Sequence, residues 1–257
     1  MLAMKYIDSH CHPQYLLDQP QADRASFLND QFEKLEYLLM VSVCLDDFDK
    51  LLPLAMLDHR AHMSVGIHPS HAHEGDFIKN VELLAKQAQN QFVRALGETG
   101  LDYYHSIEFK EYQWKMFEEH ICLSRNLNKP LIVHTRQAQE DTLSFLKQAQ
   151  DLRGVVHCFT EDKIFAKKVI DLGWMISFSG IITFKNSHEL RDVVSYVPSE
   201  FIMSETDAPY LAPVPYRGKT NLPVYVEHVV DHIALIKGIP LSKMIDILRN
   251  NYLRFIG

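Results

Sequence analysis

Six metal-binding side chains between positions 10 and 207 stand at the ends of apolar runs. The chain opens with Asp8-Ser9-His10-Cys11-His12. Side chains alternate across a strand, so an extended segment here is expected to put Asp8, His10 and His12 on one face. Two imidazoles spaced in this way can grip one ion, although an isolated His-x-His also suits a hydrogen-bonded or solvated pair. Four further donors stand at the ends of apolar runs. Glu98 follows Val93-Arg94-Ala95-Leu96-Gly97, His134 follows Leu131-Ile132-Val133, His157 follows Val155-Val156, and Asp207 follows Phe201 to Thr206. Imidazole and carboxylate without thiolate suit zinc, manganese, iron or a related divalent ion rather than a Cys-rich structural zinc site. Six donors exceed one open tetrahedral site. Two ions sharing a bridging carboxylate is the natural solution. Such a pair can lower the pKa of a bound water, polarise a phosphoryl or carbonyl oxygen and stabilise a leaving oxygen. The chemistry expected is hydrolysis.

Elements must bring these six together. Short apolar runs rich in β-branched and aromatic residues occur near residues 4–7, 37–43, 63–67, 92–96, 131–133, 154–156, 174–178 and 201–203, which predicts eight strands. Residues 80–89, 108–127, 139–149, 163–172, 187–196, 224–236 and 241–255 show helical spacing of apolar residues. In 108–127, Phe109, Tyr112, Trp114, Met116, Phe117, Ile121 and Leu123 are expected on one packing face. Ser242, after Pro240, reads as the cap of the last helix. Strand and helix in alternation, with no glycine-rich dinucleotide loop, predict a closed (β/α)8 TIM-type barrel spanning residues 1–257 as one domain. In such a barrel the strand ends meet at one mouth, where catalytic residues gather. The stretch 208–223 carries prolines at 209, 213 and 215. Those prolines bar regular structure, and a long stiffened loop after the last strand is a functional candidate.

Composition narrows the partners. The net charge is −7, so any nucleic acid must be held locally, by metal or a few cations, rather than by a global positive field. Cys11, Cys44, Cys122 and Cys158 are scattered without a Cys-x-x-Cys, and read as small buried hydrophobes of a reducing compartment. No signal peptide and no run of about 18 apolar residues is seen. The expectation is a cytoplasmic protein with no membrane association and no obligate protein partner.

The motifs together are specific. DSHCH at 8–12, GIHP at 66–69, LGETGLDYY at 96–104, VHTR at 133–136, VHCF at 156–159, SFSGIITF at 177–184, SETDAPYLAP at 204–213 and RGKTNLP at 217–223 resemble the TatD-related deoxyribonuclease family, metal-dependent hydrolases on an amidohydrolase-like barrel. The resemblance covers nearly the whole chain. It implies that His10, His12 and Asp207 hold one ion, His134 and His157 the other, and that Glu98 bridges. Asp207 would also orient or deprotonate the attacking water. His68 resembles a residue near the substrate phosphate, and Glu205 an acid behind the ligands. Asp8 is expected one layer deeper, orienting a ligand. Arg217 and Lys219 are candidates for phosphate capture. Asp102 and Tyr103 could contact substrate or brace the site, whereas His71 and His73 sit well into a polar loop. The expected cofactor is a pair of divalent ions (Zn, Mg or Mn). The expected substrate is DNA, trimmed as single strands from an end, in the 3′-to-5′ direction. The alternative keeps the same site for another ester or amide, such as an aminoacyl ester on tRNA or a cyclic amide. The chain departs from the family at Pro13 and Gln14, and at Thr160 and Glu161, positions that bear on loop shape and substrate fit rather than on the ligands.

Overall fold

The computed structural model describes residues 4–19 and 23–257. In chain order the elements are β1 (Tyr6–Cys11), α1 (Pro13–Leu16), α2 (Arg24–Phe32), β2 (Leu35–Met40), α3 (Asp47–Leu57), β3 (Ala61–Val65), α4 (Phe77–Ala88), β4 (Val93–Asp102), α5 (Lys110–Leu127), β5 (Leu131–Arg136), α6 (Gln139–Gln148), β6 (Gly154–Val156), α7 (Lys163–Asp171), β7 (Met175–Phe178), α8 (His188–Tyr196), β8 (Ile202–Ser204), α9 (Val226–Lys237) and α10 (Leu241–Ile256). The strands pair in parallel in the order β1 to β8. The sheet curls until β8 meets β1. There Cys11 bridges Ala208, Asp207 N–H donates to the His10 carbonyl (2.9 Å) and His12 N–H to that of Ala208 (2.7 Å). The two ends that carry three of the candidate ligands are thus tied to each other.

Two apolar layers hold this shape. Inside the barrel, Ile7, Leu39, Val41, Ala95, Ile132, Val155, Met175 and Met203 pack together, and Tyr252, Phe255 and Ile256 of α10 close the floor. Outside it, a larger layer fills the space between strands and helices. Burial of each such side chain stabilises the fold by about 1.5–3 kcal/mol. The polar mouth sits on this dry floor, at the C-terminal ends of the strands.

Several boundaries differ from the sequence reading. β1 begins at Tyr6 and runs to Cys11; β4 and β5 extend to Asp102 and Arg136, so Glu98 and His134 lie within strands rather than after them. α2 and α3 were not anticipated. Ser242 caps nothing: α10 starts at Leu241 with Pro240 at its cap position. Tyr112 is exposed, off the packing face of α5. The four cysteines are free, but only Cys11 is fully buried, and Cys122 is exposed. Among the described residues, no helix is long and apolar enough to cross a membrane.

Candidate metal centre

Glu98 owes its place to two glycines. Gly97 and Gly100 have φ of +123° and +128°, and a Cβ on Gly100 would lie 2.1 Å from the His134 carbonyl oxygen. Only glycine tolerates both that backbone conformation and that approach. The ladder between β4 and β5 shifts register between Leu96 and Thr99, and this irregularity turns the Glu98 side chain into the mouth. Asp207 also has a left-handed backbone (φ 58°), which aspartate tolerates better than most residues.

The two oxygens of Glu98 face two groups of imidazoles. Oε1 lies 2.7 Å from His157 Nε2, 3.1 Å from His134 Nδ1 and 3.5 Å from His68 Nε2. Oε2 lies 3.5 Å from His10 Nε2 and 3.9 Å from His12 Nε2. Asp207 Oδ1 completes the second group, 3.3 Å from His12 Nε2 and 3.7 Å from His10 Nε2. The structure therefore brings all six candidate ligands together, with Glu98 between the halves.

Partners on the far side of three rings set which nitrogen faces the centre, and that nitrogen is free for an ion once its proton leaves. His12 Nδ1 donates to the Val41 carbonyl (2.8 Å). Its Nε2 lone pair then points inward, at an Nε2 of His10 only 3.2 Å away. His134 Nε2 lies 3.2 Å from Asp102 Oδ2, which leaves Nδ1 bare towards Glu98. His157 Nδ1 faces Glu205 Oε1 at 3.5 Å, and its Nε2 faces Glu98. Lone pairs aimed at carboxylates in a buried pocket repel one another unless a cation or proton lies between them. This donor set fits divalent ions, with second partners orienting the rings as in known metal sites.

His68 is built the other way round. Its Nδ1 accepts from the Ser70 N–H (3.2 Å), so Nε2 carries the proton towards Glu98. Burial lowers its pKa to about 3, so it is a neutral imidazole at the mouth, beside Glu98 and His134, with which it forms a further group of possible metal donors. Its turn is held by His120, whose Nε2 accepts from the Ile67 N–H (3.2 Å).

The remaining predicted residues fall into place around this cluster. Burial opposes charge on Glu98, but the imidazoles around it, His157 foremost, outweigh it and hold the carboxyl well below its usual range. Burial likewise opposes charge on His157, His134 and His12, yet Glu98 for the first, Asp102 for the second and Asp207 for the third raise their pKa values. His10, pressed against His157 with ring centroids 4.0 Å apart, is lowered by burial and by that neighbour. Glu205 is fully buried and accepts from the Cys158 N–H (2.7 Å) and the Ser177 hydroxyl (2.6 Å). The β1 ladder is irregular between Asp8 and Cys11, and the fully buried Asp8 carboxylate makes no hydrogen bond or ion pair with a ligand side chain among the described residues. It accepts instead from the Thr206 N–H (2.8 Å) and hydroxyl (2.5 Å) and the His10 N–H (3.3 Å), and so positions the backbone on either side of the seam.

Asp102 and Tyr103 brace rather than contact the centre. Asp102 accepts from His134 and, at 2.8 Å, from His105 Nδ1. The Tyr103 hydroxyl donates to Asp141 (2.6 Å) and accepts from Trp114 (2.7 Å). Gln14 is buried and donates to the Val41 carbonyl (2.9 Å), the same oxygen that orients His12. The departure at this position therefore reaches a ligand indirectly. His71 pairs with Glu74 and His73 stacks on Phe109, both away from the centre. Arg217 and Lys219 are exposed in the loop after β8, with the Arg217 guanidinium 3.9 Å over the Phe184 ring and the Lys219 ammonium 6.0 Å over Tyr216. Among the described residues, no ion pair joins either to the histidine cluster. Sequence reasoning missed His120 and Asn221. The buried Asn221 amide donates to the carbonyls of Thr206 (2.9 Å) and Tyr210 (2.6 Å) and so stiffens the proline-rich loop.

Because carboxylates hold protons on His157, His134 and His12, ions entering this centre are expected to displace them. Metal affinity should therefore rise as pH climbs through those raised histidine pKa values. Calorimetric titration in buffers of different ionisation enthalpy, between about pH 6 and about pH 8, should show proton release and tighter binding at the higher pH. Affinity that stays flat across that range would contradict the arrangement.

Comparison with known proteins places the centre in context. The profile of the TatD related DNase family matches residues 7–257. The uncharacterized metal-dependent hydrolase YcfH of Escherichia coli K12 is 40% identical, over 98% of this chain and 95% of that protein. The uncharacterized metal-dependent hydrolase YabD of Bacillus subtilis is 32% identical, over 95% of this chain and 96% of that protein. Among solved structures, the TatD homolog YJJV from Escherichia coli K12 superposes with a TM-score of 0.88 at 24% identity, covering 99% of this chain and 98% of that one. The phosphotriesterase homology protein from Escherichia coli, with phosphate in its active site, superposes with a TM-score of 0.72 at 14% identity, covering both chains fully.

Proposed function

The chain belongs to the TatD-related DNase family of metal-dependent hydrolases, and from that premise we propose that it cleaves DNA phosphodiester bonds, trimming single strands from the 3′ end. The observation that carries this reading is the Glu98 carboxylate, whose two oxygens face two separate groups of bare imidazole nitrogens. His10, His12 and Asp207 would hold one ion, His134 and His157 the other, with Glu98 shared. Two divalent ions held there (Zn, Mg or Mn) supply an acidified water and neutralise charge on phosphate oxygens.

The chain's own residues do the rest. Asp207 is the carboxylate nearer solvent, 15% exposed against 3% for Glu98, and this supports a role in taking a proton from the attacking water. The neutral His68 N–H is directed to a phosphate oxygen, where donors aimed at developing charge stabilise the transition state. Arg217 and Lys219, exposed in the loop after β8, would be the local cations for flanking phosphates, which suits a protein of net charge −7 that must hold nucleic acid locally.

The test is incubation of folded protein with end-labelled single-stranded DNA, duplex DNA and RNA in Mg2+, Mn2+ or Zn2+. A ladder shortening from the 3′ end of single-stranded DNA, abolished by chelator, is the expected result. Intact DNA under every metal would sink the proposal. Including aminoacyl-ester and cyclic-amide substrates then shows whether the same centre serves another bond.

A further inference from the structure

We propose that Tyr15 and Tyr210 form an aromatic platform for an unpaired nucleobase of the strand whose phosphate lies at the metal centre. This rests on the DNA-hydrolase reading above and names what makes the site select single strands.

The two rings are placed in parallel ways. Tyr15 stands three residues after His12 in α1, and its N–H donates to the His12 carbonyl (3.1 Å). Tyr210 stands three residues after Asp207, and its N–H donates to the Asp207 carbonyl (2.9 Å). Each turn folds its ring towards His12. The centroids of Tyr15 and Tyr210 lie 5.9 Å and 6.3 Å from that of His12, and 6.4 Å from each other at 57°. At that tilt the rings do not stack on each other, so each keeps a face for a third ring.

Both rings are open to solvent, Tyr15 at 39% and Tyr210 at 54%. Three other aromatics, Tyr104, Phe184 and Tyr216, are already covered by this chain. Arg136 lies over Tyr104 (4.2 Å), Arg217 over Phe184 (3.9 Å), and Tyr225 stacks on Tyr216 (3.9 Å). Among the described residues, no cation covers Tyr15 or Tyr210. The platform is also stiff, since Pro209 precedes Tyr210 and Asn221 grips the Tyr210 carbonyl at 2.6 Å. A preformed surface loses little freedom on binding.

The occupant follows from position. A phosphate at the ions places its own nucleoside one sugar away, next to His12, where these rings stand. Aromatic stacking accepts any base, because every base has a π face, but a base held in a duplex keeps that face covered by its neighbours. The platform thus predicts tolerance of sequence and intolerance of pairing.

The test compares wild type with Tyr210→Leu, Tyr15→Leu, the double variant and the Phe variants. Substrates are single-stranded oligonucleotides ending in either ordinary or abasic nucleotides. One base stacked on an aromatic ring is worth about 5- to 150-fold. The preference of wild type for base-bearing over abasic ends, read as a ratio of kcat/KM, should fall by that factor in the Leu variants and persist in the Phe variants. An equal loss on both substrates would overturn the proposal. A binding readout runs alongside: quenching of a terminal 2-aminopurine in a short oligonucleotide, expected with wild type and weakened in the Leu variants, with thermal melting as a folding control. If wild type quenches but cleaves no DNA, the platform stands and the hydrolytic reading fails. If it cleaves DNA without quenching, the platform fails and the reading stands. If it does neither, both fall.

Discussion

Replacing Glu98 by alanine is expected to leave a folded barrel that loads metal poorly and hydrolyses its substrate on the order of 10³-fold more slowly. The expectation comes from geometry. Glu98 is the carboxylate that stands between the imidazole groups, with Oε1 on His157, His134 and His68 and Oε2 on His10 and His12. Removing it takes a ligand from both halves at once, whereas removing any one histidine takes a ligand from one. The fold should survive, because the buried carboxylate is compensated by histidines that can shed their protons. His157 keeps a raised pKa against burial chiefly through Glu98, and without that partner it becomes neutral instead of stranding a buried charge. Glu98→Gln is the companion variant, keeping the volume and one carbonyl oxygen while removing the charge. Metal content by mass spectrometry after reloading, melting temperature, and rate on labelled single-stranded DNA are the measurements. Full loading with wild-type activity in Glu98→Ala would remove Glu98 from the centre.

What the sequence made legible here follows from how its information is arranged. Each of His10, Glu98, His134, His157 and Asp207 is adjacent to a short, β-rich apolar run, and in a parallel barrel adjacency to a strand end is also adjacency to the mouth. Local pattern was therefore enough to collect the cluster. It was not enough for groups whose role depends on pairing across strands. Asp102, expected either to contact substrate or to brace the site, braces His134 because β4 pairs with β5 so that Gly100 faces His134 and Asp102 faces Arg136, and that register alone decides between the two roles. Asp8, expected one layer deeper than the ligands, is fully buried and accepts from the His10 N–H, and its bonds to Thr206 across the seam are what the sequence alone did not show. Long cationic side chains are similarly illegible. Arg217 and Lys219 have many rotamers, and in the structure both lie over aromatic rings. α3 escaped because Pro53 sits within its apolar run, and α2 because it is short and mostly polar, with Leu28 and Phe32 its buried apolar residues.

Asp207→Asn separates the two duties assigned to Asp207, holding an ion and taking a proton. Its Oδ1 lies 3.3 Å from His12 Nε2, a position that an amide oxygen can occupy. Its backbone is left-handed, with φ of 58°, a conformation asparagine tolerates as well as aspartate does. The N–H that binds the His10 carbonyl across the seam is a backbone group and is unchanged. Asparagine should therefore preserve the barrel closure and much of the metal content. What it cannot do is accept a proton. Burial raises the cost of charge on Asp207, but the bond from His12 outweighs it and holds the carboxyl below its usual range, so the group is ionised and ready as a base near neutral pH. Loss of a positioned general base costs about 10²–10⁴-fold in rate. The expected phenotype is a fall in kcat of that size with little change in KM and metal loading near that of wild type. Asp207→Ala, which loses the ligand atom as well, should lose metal along with rate. A variant Asp207→Asn that keeps the wild-type kcat would show that Asp207 only holds an ion, and the proton of the attacking water would then have to leave by another group.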